Sequence, residues 1–297
     1  MNDPTGAAYE WFERPDITDP VLVVMLLGWI DAGGAAAGAM AVLEQELAAR
    51  PVLRFDADTF IDYRARRPLL QLREGVIERM IWPITELKTG RDAVGHDVLL
   101  LTGQEPDSAW ELFLDSLLEV SAALGVTKVV GLGAYPFATP HSRPSRLSIT
   151  CGSRAVAESL PYLRNSVDVP AGIAAAIEAR FSEHGIPSFG LWAQVPHYVA
   201  AAAYPAATVA LLSGLNESVG IVTEAVPVRQ EAIAQRSQLD ELVSGNAEHV
   251  AMLRQLEQMY DSEDAPTRAG PGLVPSDLPS GDELAAELER FLRDQGS

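Results

Sequence analysis

The chain has 297 residues, with 22 Lys plus Arg against 41 Asp plus Glu, a formal charge of −19 and a pI near 4.6. At 47% hydrophobic and 21% charged, the composition is that of a folded globular protein rather than a disordered or fibrous one. A polyanion of this kind meets neither nucleic acid nor an anionic membrane well, because phosphates require clustered cations, and both partner classes are set aside.

A single cysteine, Cys151, leaves no intramolecular disulfide and no cysteine-based metal site. The segment 1–19 carries Asp3, Glu10, Glu13, Asp16 and Asp19, the opposite of a basic signal-peptide start. Val21–Leu27 is apolar for only seven residues, against about 20 for a membrane span. A soluble, cytoplasmic protein is expected.

Val21-Leu-Val-Val-Met-Leu-Leu27 ends at Gly28 and has the pattern of a strand buried on both faces of a parallel sheet. Gly33 to Ala49 reads as an Ala-rich helix with Met40, Leu43 and Leu47 at helical spacing, closed by Pro51. Val52 to Ala57 and Val76 to Trp82 read as strands of a hairpin or an antiparallel edge. Asp97 to Thr102 is a second buried strand, and Asp107 or Ser108 is the expected N-cap of a helix running to Leu124. Gly125 ends that helix and Val126 to Gly133 is a third strand. A helix over Ala171 to His184 stops at Gly185, Ser188 to Val195 is a fourth strand, and Pro205 to Ser218 closes the body as a helix. Alternating strands and helices predict an α/β domain over residues 20–218.

The remainder differs in charge. From Glu217 onward 16 acids face 6 arginines, a net of −10 within 81 residues. Residues 219–260 read as an acidic helical hairpin, its apolar stripe including Ile233, Leu239, Val250, Leu253 and Leu256 and interrupted at Gly245-Asn246. Residues 261–280, with Pro266, Pro271, Pro275 and Pro279, read as a linker, and 281–297 as a short amphipathic helix. Isolated helices of this length are marginal in water, so the stripe must be covered by the chain's own body or by a neighbouring subunit.

If the four body strands are parallel, the loops that follow them share one edge, where open α/β sheets bind ligands. That edge gathers Trp29, Asp31, Glu105, His141, Arg143, His197 and Tyr198 as candidate pocket residues. Each also has a structural reading. Asp31 can cap the helix after it, His141 sits between Pro140 and Pro144 in a rigid turn, His197 can bond the sheet edge, and Arg143 can pair with the abundant acids. Gly28, Gly33, Gly34 and Gly38 do not make a dinucleotide fingerprint, and the serine-hydrolase elbow and zinc-protease helix are absent. No cofactor and no metal are expected.

These segments, taken together, resemble the proteasome assembly chaperone 2 (PAC2) family in its actinobacterial branch. The matching stretches are Leu27-Gly-Trp-Ile-Asp-Ala-Gly33, Arg67-Pro68 after Phe60-Ile-Asp-Tyr63, Ile81-Trp-Pro83 and Gly103-Gln-Glu-Pro106 with Trp110. Gly133-Ala, Thr139-Pro-His-Ser-Arg-Pro144, Leu191-Trp-Ala and Val195-Pro-His-Tyr-Val199 complete them. The resemblance implies a three-layer α/β/α sandwich with a mostly parallel mixed sheet, similar to nucleoside phosphorylases, with a helical C-terminal extension. Eukaryotic and archaeal relatives chaperone assembly of the proteasome core particle, and the family has no agreed catalytic residues. The expected function is a non-enzymatic assembly chaperone or scaffold, self-associating as a trimer, with proteasome subunits or another protein as client. The rival reading is a hydrolase or phosphorylase-like transferase using the strand-end loops on a small substrate. Relatives that dock proteasome α-rings end in a hydrophobic–Tyr–any motif, whereas this sequence ends Arg293-Asp-Gln-Gly-Ser297, so any contact is expected through a body face or the acidic hairpin.

Overall fold

In the computed structural model, which describes residues 8–262, the chain opens with β1 (Tyr9–Trp11), β2 (Val21–Leu27), α1 (Ala35–Glu46), β3 (Arg50–Phe55) and α2 (Ala57–Phe60). It continues through β4 (Leu69–Arg73), β5 (Val76–Ile81), β6 (Thr85–Arg91), β7 (Asp97–Gln104) and α3 (Trp110–Ala123). Next come β8 (Lys128–Phe137), β9 (Leu147–Cys151), α4 (Arg154–Ser159), β10 (Leu163–Arg164), α5 (Ile173–Glu183) and β11 (Ser188–Pro196). Three helices finish it: α6 (Pro205–Val219), α7 (Val226–Ser244) and α8 (Ala247–Ser262). The terminal helix expected over 281–297, and the linker from residue 263 onward, lie outside the described residues; Asp261 and Ser262 still belong to α8.

Nine strands form one sheet in the order β1-β3-β6-β7-β2-β8-β11-β9-β10. Its centre, β7-β2-β8-β11, is parallel, and β1, β3 and β6 continue it antiparallel. On the other side β9 runs antiparallel to β11. The continuous apolar run of β2 is explained by burial on both faces, because side chains alternate across a strand. Val23 and Met25 join the core under α1, α6 and α7, while Leu22, Val24 and Leu26 join the core under α3 and α5. The result is the three-layer α/β/α sandwich with a helical extension. No helix among the described residues is long and apolar enough to cross a membrane.

Local differences from the sequence reading have physical causes. Strand β6 reads Thr-Glu-Leu-Lys-Thr-Gly-Arg and carries little apolar signal, yet most of it is buried. Its polar side chains are met by the adjacent strands and by α1: Arg54 Nη2 donates to Glu86 Oε1 at 2.6 Å, Lys88 Nζ to Glu44 Oε1 at 2.8 Å, and Thr85 Oγ1 to Gln104 O at 2.6 Å. The first helix begins at Ala35 rather than Gly33, since Gly33 (φ 63°) and Gly34 (φ 58°) adopt left-handed conformations that favour glycine. Neither Asp107 nor Ser108 caps α3; Ala109 occupies that position. Asp107 instead accepts from the Asp62 and Arg66 N–H groups, and Ser108 donates to Thr59 O, so the segment 59–66 has recruited both side chains.

Candidate functional site

Because β7, β2, β8 and β11 are parallel and adjacent, their following loops share one edge of the sheet. Backbone bonds tie the first loop to the fourth: Gly33 N–H donates to Ala200 O at 2.7 Å and Tyr204 N–H to Gly33 O at 3.0 Å. The register of β8 on β11 runs to Phe137 beside Pro196, which sets the loop holding His141 next to the turn holding His197 and Tyr198.

The seven candidate side chains do not converge on one point. Asp31 accepts from the Ala36 and Ala37 N–H groups at 2.8 and 3.0 Å, capping α1. Its burial raises the carboxyl's pKa, and those backbone bonds oppose the rise. Trp29 leans on Gly172 and stays 43% exposed. Glu105 Oε1 lies 3.8 Å from Arg66 Nη2, and its Oε2 accepts from Ile173 N–H at the start of α5 at 3.3 Å.

The others gather where the helical extension meets the body. His141 has a fully buried side chain, with Nδ1 2.7 Å from the Tyr198 hydroxyl and Nε2 3.2 Å from Asp240 Oδ1 on α7. Tyr198 also accepts from the His141 backbone N–H at 2.8 Å. One neutral tautomer satisfies all three contacts, with the Tyr198 O–H donating to Nδ1 and Nε2–H donating to Asp240. Burial pushes the imidazole's pKa down while Asp240 pulls it up, and the net direction is down. Burial likewise raises the Tyr198 phenol. Arg143 holds Asp261 through two bonds of 2.9 and 2.8 Å and reaches Glu257 at 3.1 Å, which raises its pKa. Ser142 Oγ donates to the same Glu257 oxygen at 2.5 Å.

Sequence reading did not single out the partners that complete this junction. The Arg146 guanidinium lies 3.6 Å from the centroid of the Tyr260 ring and donates to Tyr260 O at 2.8 Å, while the Tyr260 hydroxyl donates to Pro144 O. Arg236 donates to Ser142 O at 2.9 Å. A signal existed, because His141-Ser-Arg-Pro-Ser-Arg146 is a locally basic loop in a chain whose tail is strongly acidic. His197 is different again. Its ring meets Tyr198 edge to face at 5.3 Å, and neither buried ring nitrogen has a hydrogen-bond partner among the described residues. Burial lowers its pKa, with the Phe137 backbone acting in the opposite sense.

Beside the junction lies an open groove of about 670 Å³ between the 143–147 segment, α6 and α7. Apolar side chains such as Leu147, Val209 and Leu239 share its wall with Tyr162, Tyr204, Arg229 and Arg236. Of the seven candidates only His141 and Arg143 line it. Among the described residues no group of three or more His, Cys, Asp or Glu is arranged to hold a metal ion.

The sequence profile of the PAC2 family matches residues 25–243, from the end of β2 through the junction loops to the last turn of α7. The chain belongs to the PAC2 family. A PAC2 family protein from Streptomyces avermitilis is 32% identical, with a TM-score of 0.72 over 79% of this chain and 100% of the other. The Mycobacterium tuberculosis proteasome-assembly chaperone homologue is also 32% identical, with a TM-score of 0.73 over 80% and 99% of the two chains. A Corynebacterium glutamicum protein of unknown function is 30% identical and superimposes with a TM-score of 0.81 over 88% of this chain and 99% of that one. No curated protein matches the chain. In this PAC2 protein the polar loops after β8 and β11 have a mechanical use: they hold the extension on the sheet edge.

Proposed function

We propose that this PAC2 protein is a cytoplasmic, non-enzymatic assembly chaperone or scaffold. It self-associates as a trimer and presents its body and its helical extension, residues 219–260, to a protein client. The observation that carries this reading is the use of the strand-end side chains. Asp31 caps a helix, Glu105 joins Arg66 to α5, and His141, Arg143 and Tyr198 join α7 and α8 to the body. No two of the candidate bases Asp31, Glu105, His141 and His197 are hydrogen-bonded to each other among the described residues, whereas acid–base catalysis works through groups within reach of one another and of a substrate. The similarity to the Mycobacterium tuberculosis proteasome-assembly chaperone homologue supports proteasome subunits as the client.

The acidic extension implies a contact that weakens with salt, since exposed charges are screened beyond about 8 Å at physiological ionic strength. Co-sedimentation with proteasome α-subunits at low and high salt tests this. Binding that is strong at low salt and reduced at high salt is expected. Failure to bind at either salt concentration overturns the proteasome assignment.

A further inference from the structure

Strands β4 and β5 pair with each other and with no strand of the main sheet, so they form a separate two-stranded arm. Glu74 (φ 50°) and Gly75 (φ 80°) make its two-residue turn, in the left-handed pair of conformations that matches hairpin twist. Tyr63 and Trp82 pack edge to face at 5.0 Å at its base. A two-stranded ribbon is marginally stable alone in water, and three or more strands or a packed face are needed for independent stability.

This arm is apolar on its surface. Eight large hydrophobic side chains between Leu69 and Trp82 are each 37–64% exposed, with Leu69, Val76 and Ile77 all above 60%. Together the eight expose several hundred Å² of apolar surface, shared between the two faces of the ribbon because side chains alternate across a strand. One partner in a standard protein interface buries about 800 Å². The edges point the same way. The main sheet ends in β1 and β10, of three and two residues, the short edges that discourage strand pairing. Among the described residues the outer edges of the arm's strands, of five and six residues, are unpaired, and neither strand contains proline or lysine.

Charge selects the occupant. The arm itself, residues 69–82, balances Arg73 and Arg79 against Glu74 and Glu78, and the exposed Arg64 and Arg67 lie just before it, in a chain whose net charge is −19. Two copies of this protein repel through most of their surfaces, and the arm with its two flanking arginines is the place where one copy offers an apolar face free of net negative charge to the acidic body of another. We propose that the β4–β5 arm is the self-association surface and seats on a second copy of this chain. This rests on the self-association included in the function proposed above, and it adds the surface that performs it.

The test is light scattering during size exclusion of the full chain, of the Leu69→Lys/Ile77→Lys variant, and of a variant in which Gly-Ser-Gly replaces residues 69–82. The wild type is expected at a multiple of 31.9 kDa, and both variants at the monomer mass with unchanged far-UV circular dichroism. Lysine is chosen because it lowers the overall negative charge, so loss of assembly cannot come from added repulsion between polyanions. If the replacement fails to fold, the double-lysine variant decides, since both of its sites are exposed. Variants that keep the wild-type mass overturn the arm as the surface and leave self-association standing. A monomeric wild type overturns both, and assigns the arm to a different partner.

Discussion

His141 Nε2 lies 3.2 Å from Asp240 Oδ1, joining the loop after β8 to a helix 99 residues further along the chain. The imidazole is fully buried and the carboxylate half exposed, so the bond closes a protein interior from its surface. Removing the carboxylate strands a buried donor, which costs about 1–3 kcal/mol. Asp240→Ala is therefore expected to lower stability by that amount in urea titration. An unchanged midpoint would mean that α7 is held without this bond.

The ion pairs of Arg143 fasten the end of α8 at the surface, and surface pairs are weakened by salt. Arg143→Ala is expected to speed hydrogen exchange of amides in Ala247–Ser262 while leaving β2 and β8 unchanged. High salt acting on the wild type should move the same amides in the same direction. Equal exchange in variant and wild type would show that α8 is held by its apolar contacts, Leu256 among them.

Glu178 on α5 faces the sheet over Gly131 and Gly190, accepting from Thr150 Oγ1 at 2.7 Å while its other oxygen has no partner among the described residues. Burial raises its pKa to about 8 from an ordinary 4.5. The folded state thus holds a proton that the unfolded state releases between these values, and stability falls as pH rises through that window. The loss is on the order of 3–5 kcal/mol. Glu178→Gln, compared with wild type by denaturant titration from pH 5 to 9, should remove this slope. Parallel curves for the two proteins would refute a neutral buried carboxyl.

Among the described residues, neither buried ring nitrogen of His197 has a hydrogen-bond partner. A phenyl ring of similar shape retains the packing on Tyr198 and removes the desolvation cost. His197→Phe is expected to stabilise the fold by about 1 kcal/mol. A destabilised variant would show that the imidazole is hydrogen-bonded in solution.

The sequence by itself determined the layers. Each central strand is a continuous apolar run and each flanking helix carries one stripe, because two cores must be filled from alternate faces of one sheet. The four-strand parallel centre, and with it the shared edge of Asp31, Glu105, His141 and His197, was readable from those runs. Strand β6 was not, because its burial is compensated by ion pairs with Arg54 and Glu44, partners that only long-range folding supplies. The same reason governs the site. Residue type placed His141 and Arg143 among the candidate pocket residues, but a polar side chain's role is set by what stands within about 3 Å of it. Tertiary structure alone placed Asp240, Glu257 and Asp261 there, from helices more than 90 residues away in the chain, and turned an apparent pocket edge into the seat of the extension.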